Sequence, residues 1–208
     1  DAILETFKKN IEKVKQVLIR TVELFSEEEK FKSIKSKIRT IPDFQKKGVM
    51  FRDITTLLKD REGMKQVIEI FQNRYKDKKI DIVVGIESRG FILGGILAER
   101  LNAGFVPVRK RGKLPGEKET ETYLLEYGFD TIEIHKDAIK KGEKVLLIDD
   151  LIATSGTMGA ACELIKKLGG EIVECAVIIE LDDLSGRKKL EDKGYNLFSI
   201  VSFKEDEA

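Results

Sequence analysis

Short runs rich in Val, Ile and Leu alternate with segments of helical periodicity across the last two thirds of the chain. The runs are predicted as strands and lie at Ile80–Ile86, Phe105–Val108, Val145–Ile148, Ile172–Leu181 and Leu197–Phe203. The segments between them are predicted as helices and lie around residues 64–71, 91–101, 157–168 and 187–191. Strands joined through helices form right-handed crossovers, and strands of unbroken apolar sequence are buried on both faces. The pattern predicts an α/β fold with an open, mostly parallel sheet flanked by helices.

Residues 109–135 interrupt this alternation. Four basic residues precede a Pro-Gly pair, and apolar and polar residues then mix through 122–126 and alternate through 131–135. This pattern predicts a mobile loop that leads into a β-hairpin hood. Because long excursions within a compact α/β domain are often functional lids, we expect this segment to serve the site.

The N-terminal segment, 1–27, is predicted to form an amphipathic helical extension, and the segment 28–208 the main domain. Apolar residues recur at steps of three and four from Leu4 to Phe25, with Lys and Glu between them. The acidic run 27–29 breaks this phase, which predicts a second short helix carrying Phe31, Ile34 and Ile38. We expect the extension to pack on its own domain or on a partner subunit. The alternative is a helix for a membrane surface or for regulation.

Charge and composition exclude several classes of protein. The 38 Lys and Arg residues nearly balance the 37 Asp and Glu residues, which argues against a nucleic-acid partner. Two Cys and one His are too few for a zinc site or a disulfide scaffold. No apolar run approaches the roughly 20 residues that span a bilayer, and no signal-peptide core is present. These features predict a cytoplasmic protein that does not act on a membrane.

The most informative segment is Val145–Thr157, VLLIDDLIATSGT. A buried strand leads into two adjacent acids, Asp149 and Asp150. Burying a carboxylate under a helix costs several kcal/mol, so the strand is predicted to end here, with both acids at the carboxyl edge of the sheet. Carboxylates accept hydrogen bonds only, which suits a vicinal diol such as that of ribose.

The loop that follows the acids suits a phosphate. Its residues are Ala153, Thr154, Ser155, Gly156 and Thr157. Backbone N–H groups at a helix start face outward and the helix dipole favours an anion there. The loop lacks the Lys of nucleoside triphosphatase loops and the glycine pattern of dinucleotide folds. A diol and a monophosphate, spaced as in ribose 5-phosphate, fit this motif best.

The same segment resembles the signature of the type I phosphoribosyltransferases, which bind 5-phospho-α-D-ribose 1-diphosphate (PRPP). Three further motifs, GVMFRDI at 48–54, ESRGF at 87–91 and RKRGKLPG at 109–116 with LEYG at 125–128, resemble the adenine-specific branch of that family. The resemblance runs in order from about residue 31 to the end. It implies transfer of the phosphoribosyl group to adenine, giving AMP and pyrophosphate.

The resemblance implies a role for each motif. Asp149 and Asp150 would hold the ribose hydroxyls, and the loop from Ala153 to Thr157 the 5-phosphate. Pyrophosphate would bind at Ser88, Arg89, Arg109 and Lys113. Adenine would bind along 42–55, at Val49, Met50, Phe51 and Arg52, with backbone groups of Met50 reading its edge, Phe51 stacking on the ring and Leu151 on the opposite face.

For the chemistry, the resemblance implies an oxocarbenium-like transition state, a loop at 110–125 that closes against water, and Mg²⁺ on the diphosphate. Arg89 and Glu126 are the catalytic candidates, with Glu126 as acid or base near the purine. A homodimer is implied as well. Two alternatives stay open: a transferase for another base, and a PRPP-sensing regulator on the same fold. One departure is Gln45-Lys46-Lys47, where the family often carries Pro.

Overall fold

The computed structural model describes residues 2–44, 47–125, 128–204 and 207, without the side chains of residues 2–4, 23 and 24. The helices are α1 (Ala2–Ser36), α2 (Thr55–Lys59), α3 (Arg61–Tyr75), α4 (Arg89–Arg100), α5 (Gly156–Leu168) and α6 (Gly186–Glu191), with a 3-10 turn at Asp182–Leu184. The strands are β1 (Arg39–Pro42), β2 (Met50–Asp53), β3 (Ile82–Ile86), β4 (Gly104–Lys110), β5 (Lys118–Leu124), β6 (Phe129–His135), β7 (Lys144–Ile152), β8 (Glu171–Leu181) and β9 (Leu197–Phe203). Within the described part of the chain, no helix is both long and apolar enough to cross a membrane.

Seven of the strands form one sheet in the order β5-β6-β4-β3-β7-β8-β9. Five neighbouring strands of this sheet, β4, β3, β7, β8 and β9, pair in parallel. Strand β6 pairs antiparallel with both β4 and β5. The sequence prediction of an open, mostly parallel sheet is confirmed, and the parallel crossovers bring the carboxyl ends of β3 and β7 to one edge.

The apolar runs are buried because each face of the sheet carries its own core. Alternate residues of a strand point to opposite faces, so Val83 and Leu146 pack with α3 and α4, whereas Val84 and Leu147 pack with α5. This two-sided burial explains why the central strands lack polar alternation.

Helix α1 is continuous, and the predicted break at Glu27–Glu29 is wrong. The reason is that Glu and Lys are good helix formers, and no Gly or Pro occurs before Pro42. Among the side chains of α1 that the structure describes, only those at its C-terminal end are buried, where Ile34 packs against α3 and β9. Pro42 ends strand β1 rather than a helix.

The hairpin predicted within 109–135 is confirmed as β5 and β6, although it is part of the main sheet. Strand β6 continues the edge of β4 through the pairs Arg109↔Glu133 and Lys110↔Ile132. The hairpin therefore reaches the carboxyl edge of the sheet, where the two acids lie.

A second, two-stranded hairpin of β1 and β2 stands apart from the main sheet. Thr40 faces Arg52 and Pro42 faces Met50 in its antiparallel register. Sequence reasoning missed it because strands this short give no periodic signal. The hairpin carries the segment expected to bind the base.

Candidate active site

The two acids lie near the end of β7, but the strand does not stop before them. It continues through Asp149 and Asp150 to Ile152, so the prediction that the strand ends at the acids is wrong. The two side chains therefore point to opposite faces of the sheet.

Each acid is accommodated in its own way. Asp150 is only 5% exposed, and Nε of Arg89 donates to its Oδ2 over 2.5 Å. Asp149 is half-buried, and its Oδ1 accepts the backbone N–H of Asp150 over 2.9 Å. Burial, followed by the charge of Asp150, raises the pKa of Asp149 well above its usual value. The buried charge that sequence reasoning treated as uncompensated thus has a partner, Arg89.

The loop Ala153–Thr157 joins β7 to α5 at the same edge. Ser155 precedes the helix in the left-handed conformation, with φ of 67°. The N–H groups of the first helical turn have no partners within the helix and face the opening. Together with Asp149 and Leu151, the loop lines a cavity of about 160 Å³. A carbon atom added at Gly156 would lie 3.0 Å from the Tyr123 ring and 3.3 Å from the Leu124 carbonyl oxygen, so a larger residue there would push against the hairpin.

Tyr123 of the hairpin contacts this loop directly, a relationship that sequence reasoning missed. Its phenol oxygen accepts from Thr157 Oγ1 and from Lys110 Nζ, each over 3.0 Å, and donates to Asp130 Oδ2 over 3.1 Å. The contact depends on the β5–β6 register, which places Tyr123 opposite Asp130. No pattern in the sequence specifies that register.

Arg89 and Ser88 lie at the turn between β3 and α4, as predicted for a pyrophosphate site. Burial lowers the pKa of Arg89, but the hydrogen bond to Asp150 and the charges of both acids raise it further, so the net shift is upward. The peptide bond between Glu87 and Ser88 is cis.

The other predicted pyrophosphate residues lie beside this turn, with an acid that sequence reasoning missed. Arg109 donates to both oxygens of Glu87 over 3.1 and 3.2 Å, and to the Lys113 carbonyl over 3.1 Å. Glu87 also accepts the backbone N–H of Lys110 over 3.1 Å. The hydrogen bonds from Arg109 lower the pKa of Glu87. The predicted cationic lining is thus partly neutralised in the ligand-free chain.

A larger cavity of about 430 Å³ adjoins the first. It is lined by Val49, Met50, Arg52, Leu125, Thr154, Leu181, Asp183, Leu184, Phe203 and Lys204. Leu125 and Thr154 line both cavities, and so connect them. Three of the five predicted adenine residues therefore face the larger cavity, and Leu151 faces the smaller one. The lining residues from 181 to 204 were missed, since nothing in their sequence marks a pocket.

Phe51 differs from its neighbours. It alternates with Met50 and Arg52 along β2 and so points to the opposite side of the hairpin. Its ring packs on Phe44, with centroids 4.8 Å apart. Phe51 is not among the residues that line either cavity. Its stacking role stays a prediction.

The guanidinium of Arg52 is directed toward the C-terminal segment. It is 4% exposed, donates to Thr40 Oγ1 over 2.6 Å and to the carbonyl oxygens of Lys204 and Glu207, and lies 4.3 Å above the Phe203 ring. Arg39 donates a hydrogen bond to the adjacent Asp53, and this bond lowers the pKa of Asp53 to about 2. Arg52 thus ties the base hairpin to the end of the chain.

Glu126 lies outside the described residues. Its neighbour Leu125 lines both cavities and donates its N–H to the Gly128 carbonyl over 3.0 Å. The catalytic role of Glu126 stays a prediction.

Residues 53–208 match the phosphoribosyl transferase domain family. The adenine phosphoribosyltransferase of Methylobacillus flagellatus is 58% identical over 175 residues, which cover 84% of this chain and 99% of that protein. The solved adenine phosphoribosyltransferase of Rhodothermus marinus superposes with a TM-score of 0.79 at 49% identity, covering 84% of this chain and 98% of its own. The Saccharomyces cerevisiae enzyme, solved with adenine and an imino-altritol bisphosphate, superposes with a TM-score of 0.78 at 39% identity, covering 83% and 99%.

Paired acids and a hydroxyl-rich helix start at the carboxyl edge of this sheet define a type I phosphoribosyltransferase. Such proteins are glycosyltransferases that move a pentosyl group. The chain belongs to the adenine phosphoribosyltransferase family.

Proposed function

We propose that this chain joins adenine to the 5-phosphoribosyl group of PRPP, giving AMP and pyrophosphate, at the edge formed by β3 and β7. The observation that carries the proposal is the connection between the two cavities. One cavity holds Asp149 and the loop before α5, the other holds the base hairpin, and Leu125 and Thr154 line both. A sugar phosphate in the first would lie next to a base in the second.

The ribose and its 5-phosphate occupy the smaller cavity. Asp149 and Asp150 accept hydrogen bonds from the two ribose hydroxyls, as acceptor-only groups do. The 5-phosphate lies on the N–H groups of Ala153–Thr157, where the dipole of α5 favours an anion.

Pyrophosphate binds along the turn at Ser88. When PRPP binds, the ribose hydroxyls donate hydrogen bonds to the Asp150 carboxylate in place of Arg89. Arg89 then donates to the diphosphate oxygens instead. Arg109 and Lys113, adjacent through the Arg109–Lys113 carbonyl bond, approach the diphosphate from β4.

Adenine enters the larger cavity against Val49, Met50 and Arg52. Its edge presents an amino donor beside a ring acceptor, which one peptide's C=O and N–H can match. A 6-oxopurine reverses this pattern and leaves unpaired buried groups, at about 1–3 kcal/mol each. Phe51 and Leu151 remain the proposed faces for the ring, and Phe51 would have to turn from its packing on Phe44 toward the larger cavity to stack there.

The transition state has oxocarbenium character because pyrophosphate leaves before the base nitrogen is fully bonded. Holding the two substrates in line can remove about 7–11 kcal/mol from the barrier. Water would trap the sugar cation, so the hairpin and loop over 110–125 close the site. Glu126 is the proposed acid or base at the purine ring.

The donor set fits a magnesium ion held mainly by the substrate. Among the described residues, no three His, Cys, Asp or Glu side chains form a metal-binding group. Mg²⁺ commonly keeps several waters and binds through phosphates, so it would be held by oxygens of PRPP and by water, with no direct ligand from the chain. When bound, Mg²⁺ neutralises the diphosphate leaving group.

The proposal also covers organisation, location and assembly. Residues 28–208 form the transferase domain and residues 1–27 an extension, although α1 runs across that boundary. A cytoplasmic location fits two free, buried thiols, Cys162 and Cys175. The working form is a homodimer, as the family resemblance implies.

The decisive experiment measures AMP formation from adenine, hypoxanthine, guanine and xanthine, each with and without Mg²⁺. Turnover with adenine alone, and only with Mg²⁺, is the expected result. The control is Asp150→Asn combined with Arg89→Ala, which removes both members of an ion pair and so leaves no unpaired buried charge. It is expected to stay folded by circular dichroism and to form no AMP. Full activity in this variant would contradict the site, and turnover of an oxopurine would contradict the base assignment.

A further inference from the structure

The N-terminal helix carries an apolar stripe that none of the described residues covers. Every residue with a described side chain from Glu5 to Glu29 is exposed. Eight large apolar side chains on it are between 48% and 68% exposed: Phe7, Ile11, Val14, Val17, Leu18, Ile19, Val22 and Phe25. A helix of this length extends about 37 Å. Patches of this kind mark interaction sites in soluble proteins.

The stripe is narrow. At about 100° per residue, five of these eight side chains, Phe7, Ile11, Val14, Leu18 and Phe25, fall within an arc of about 60°, and Val22 lies about 20° outside it. Val17 and Ile19 lie on the two flanks, about 60° and 80° outside the arc, and Gln16 lies on the opposite side. A narrow stripe of this type suits a seam between two helices. Helices in proteins draw most of their stability from packing of an amphipathic face, so this one needs a partner along its length.

The charges along the helix differ between its two halves. Residues 5–20 contain five basic residues, Lys8, Lys9, Lys13, Lys15 and Arg20, and two acidic ones, Glu5 and Glu12, for a net charge of +3. Residues 21–29 contain four Glu and no basic residue, for a net charge of −4. Two copies aligned antiparallel about residue 16 place residues 21–29, of net charge −4, against residues 3–11, of net charge +1, whereas residues 12–20 lie against themselves. Parallel alignment places like charges together.

From these observations we infer that residues 5–29 of α1 pair antiparallel with the same segment of a second copy of this chain. The acidic half disfavours the alternative of an anionic membrane surface, which attracts basic segments. Nearly all of the Methylobacillus flagellatus protein, 99%, aligns with only 84% of this chain, so this chain carries sequence that the relative lacks. The stripe contains none of the motifs of the proposed site, so the pairing can be tested independently of the proposed reaction.

A spin-label distance tests the inference in the full chain. Ser26 is exposed, and Ser26→Cys places one label near the end of the stripe. The stripe is centred near residue 16, so antiparallel pairing separates the two labels by about 30 Å, called here the antiparallel distance. Parallel pairing would place them about 10 Å apart, the spacing of packed helices and here the parallel distance. Cys162 and Cys175 are fully buried and should not take up the label. The unmodified chain, treated with the same label, is the control for this.

Three variants in this background complete the test. Ile11→Gln with Leu18→Gln should abolish the antiparallel distance, whereas Gln16→Ala, at an exposed uncharged residue on the opposite side, should keep it. Reversal of Glu27, Glu28 and Glu29 to Lys should weaken the pairing at least tenfold at low salt. The parallel distance, no distance, or an antiparallel distance that survives the Gln pair would each overturn the inference. So would immobilisation of the label only on anionic vesicles.

Discussion

Nε of Arg89 donates to Oδ2 of Asp150 over 2.5 Å, which joins the proposed pyrophosphate turn to the proposed ribose acids. Each group neutralises the charge of the other. We propose that PRPP supplies both with new partners, because its hydroxyls suit the carboxylate and its diphosphate suits the guanidinium. Under this proposal, binding exchanges one internal ion pair for two ligand contacts.

Asp150→Asn should lower kcat/KM for PRPP by about 10- to 150-fold, since a hydrogen bond to a charged group is worth about 1.5–3 kcal/mol. Initial rates at varied PRPP measure the effect. Asp137→Asn, an exposed substitution on the loop after β6, is the matched control. Unchanged kcat/KM in the Asp150 variant would remove this residue from the ribose site.

Asp149→Asn should stabilise the ligand-free protein at neutral pH while impairing PRPP binding. The pKa of Asp149 is higher in the folded state than in the unfolded state. The free energy of unfolding therefore falls as the pH rises from the unfolded-state pKa to the folded-state pKa, because the folded state resists ionising this carboxyl. The variant has no such cost. Its Tm should exceed that of the unmodified chain by a few degrees at pH 7–8, with the difference shrinking toward pH 4. A difference independent of pH would contradict the buried-acid explanation.

Tyr123→Phe should raise the KM for PRPP about five- to tenfold, because the hydroxyl that orients Thr157 contributes about 1 kcal/mol. The KM for adenine should change little, since Tyr123 does not line the larger cavity. Tyr195→Phe is the matched control, as its hydroxyl contacts Glu163 over 3.4 Å. An equal rise in both KM values would indicate a general loss of structure instead.

Arg52→Met should release the C-terminal segment and raise the KM for adenine several-fold. It leaves the Glu207 carbonyl oxygen without the Arg52 donor and the Lys204 carbonyl oxygen with only the N–H of Glu207, so the free energy of unfolding should fall by about 2 kcal/mol. Steady-state kinetics and urea unfolding measure the two effects. Arg100→Met, at an exposed arginine of α4, should change neither. A variant with lower stability but the same KM for adenine would show that the tether is structural only.

The main sheet could be predicted from sequence because its signals are local. Strands that are covered on both faces need apolar residues at every position, as Val83 and Val84 show on β3. Such strands therefore appear in the sequence as apolar runs, separated by segments with helical spacing. The motif around Asp149 also placed the two acids near the carboxyl end of β7, since the first charges after an apolar run mark the end of its buried part.

What could not be predicted depends on pairing between distant segments. Strand β7 runs past its acids because Arg89, 61 residues earlier, compensates Asp150. Tyr123 reaches Thr157 only through the register of β5 on β6. The continuity of α1 was misjudged because loss of an apolar face was taken as loss of a helix, although the helix persists through Glu27–Glu29.

Leu125 and Thr154 form the only described boundary common to both cavities, and they belong to different elements, the hairpin and the loop before α5. In the proposed reaction the base and the sugar meet at this boundary, so a shift of the hairpin relative to the loop would change the distance between the base nitrogen and the sugar carbon that it attacks. The β4–β6 ladder that positions the hairpin also carries Arg109, so a slip of one pair would disturb the proposed pyrophosphate contact as well.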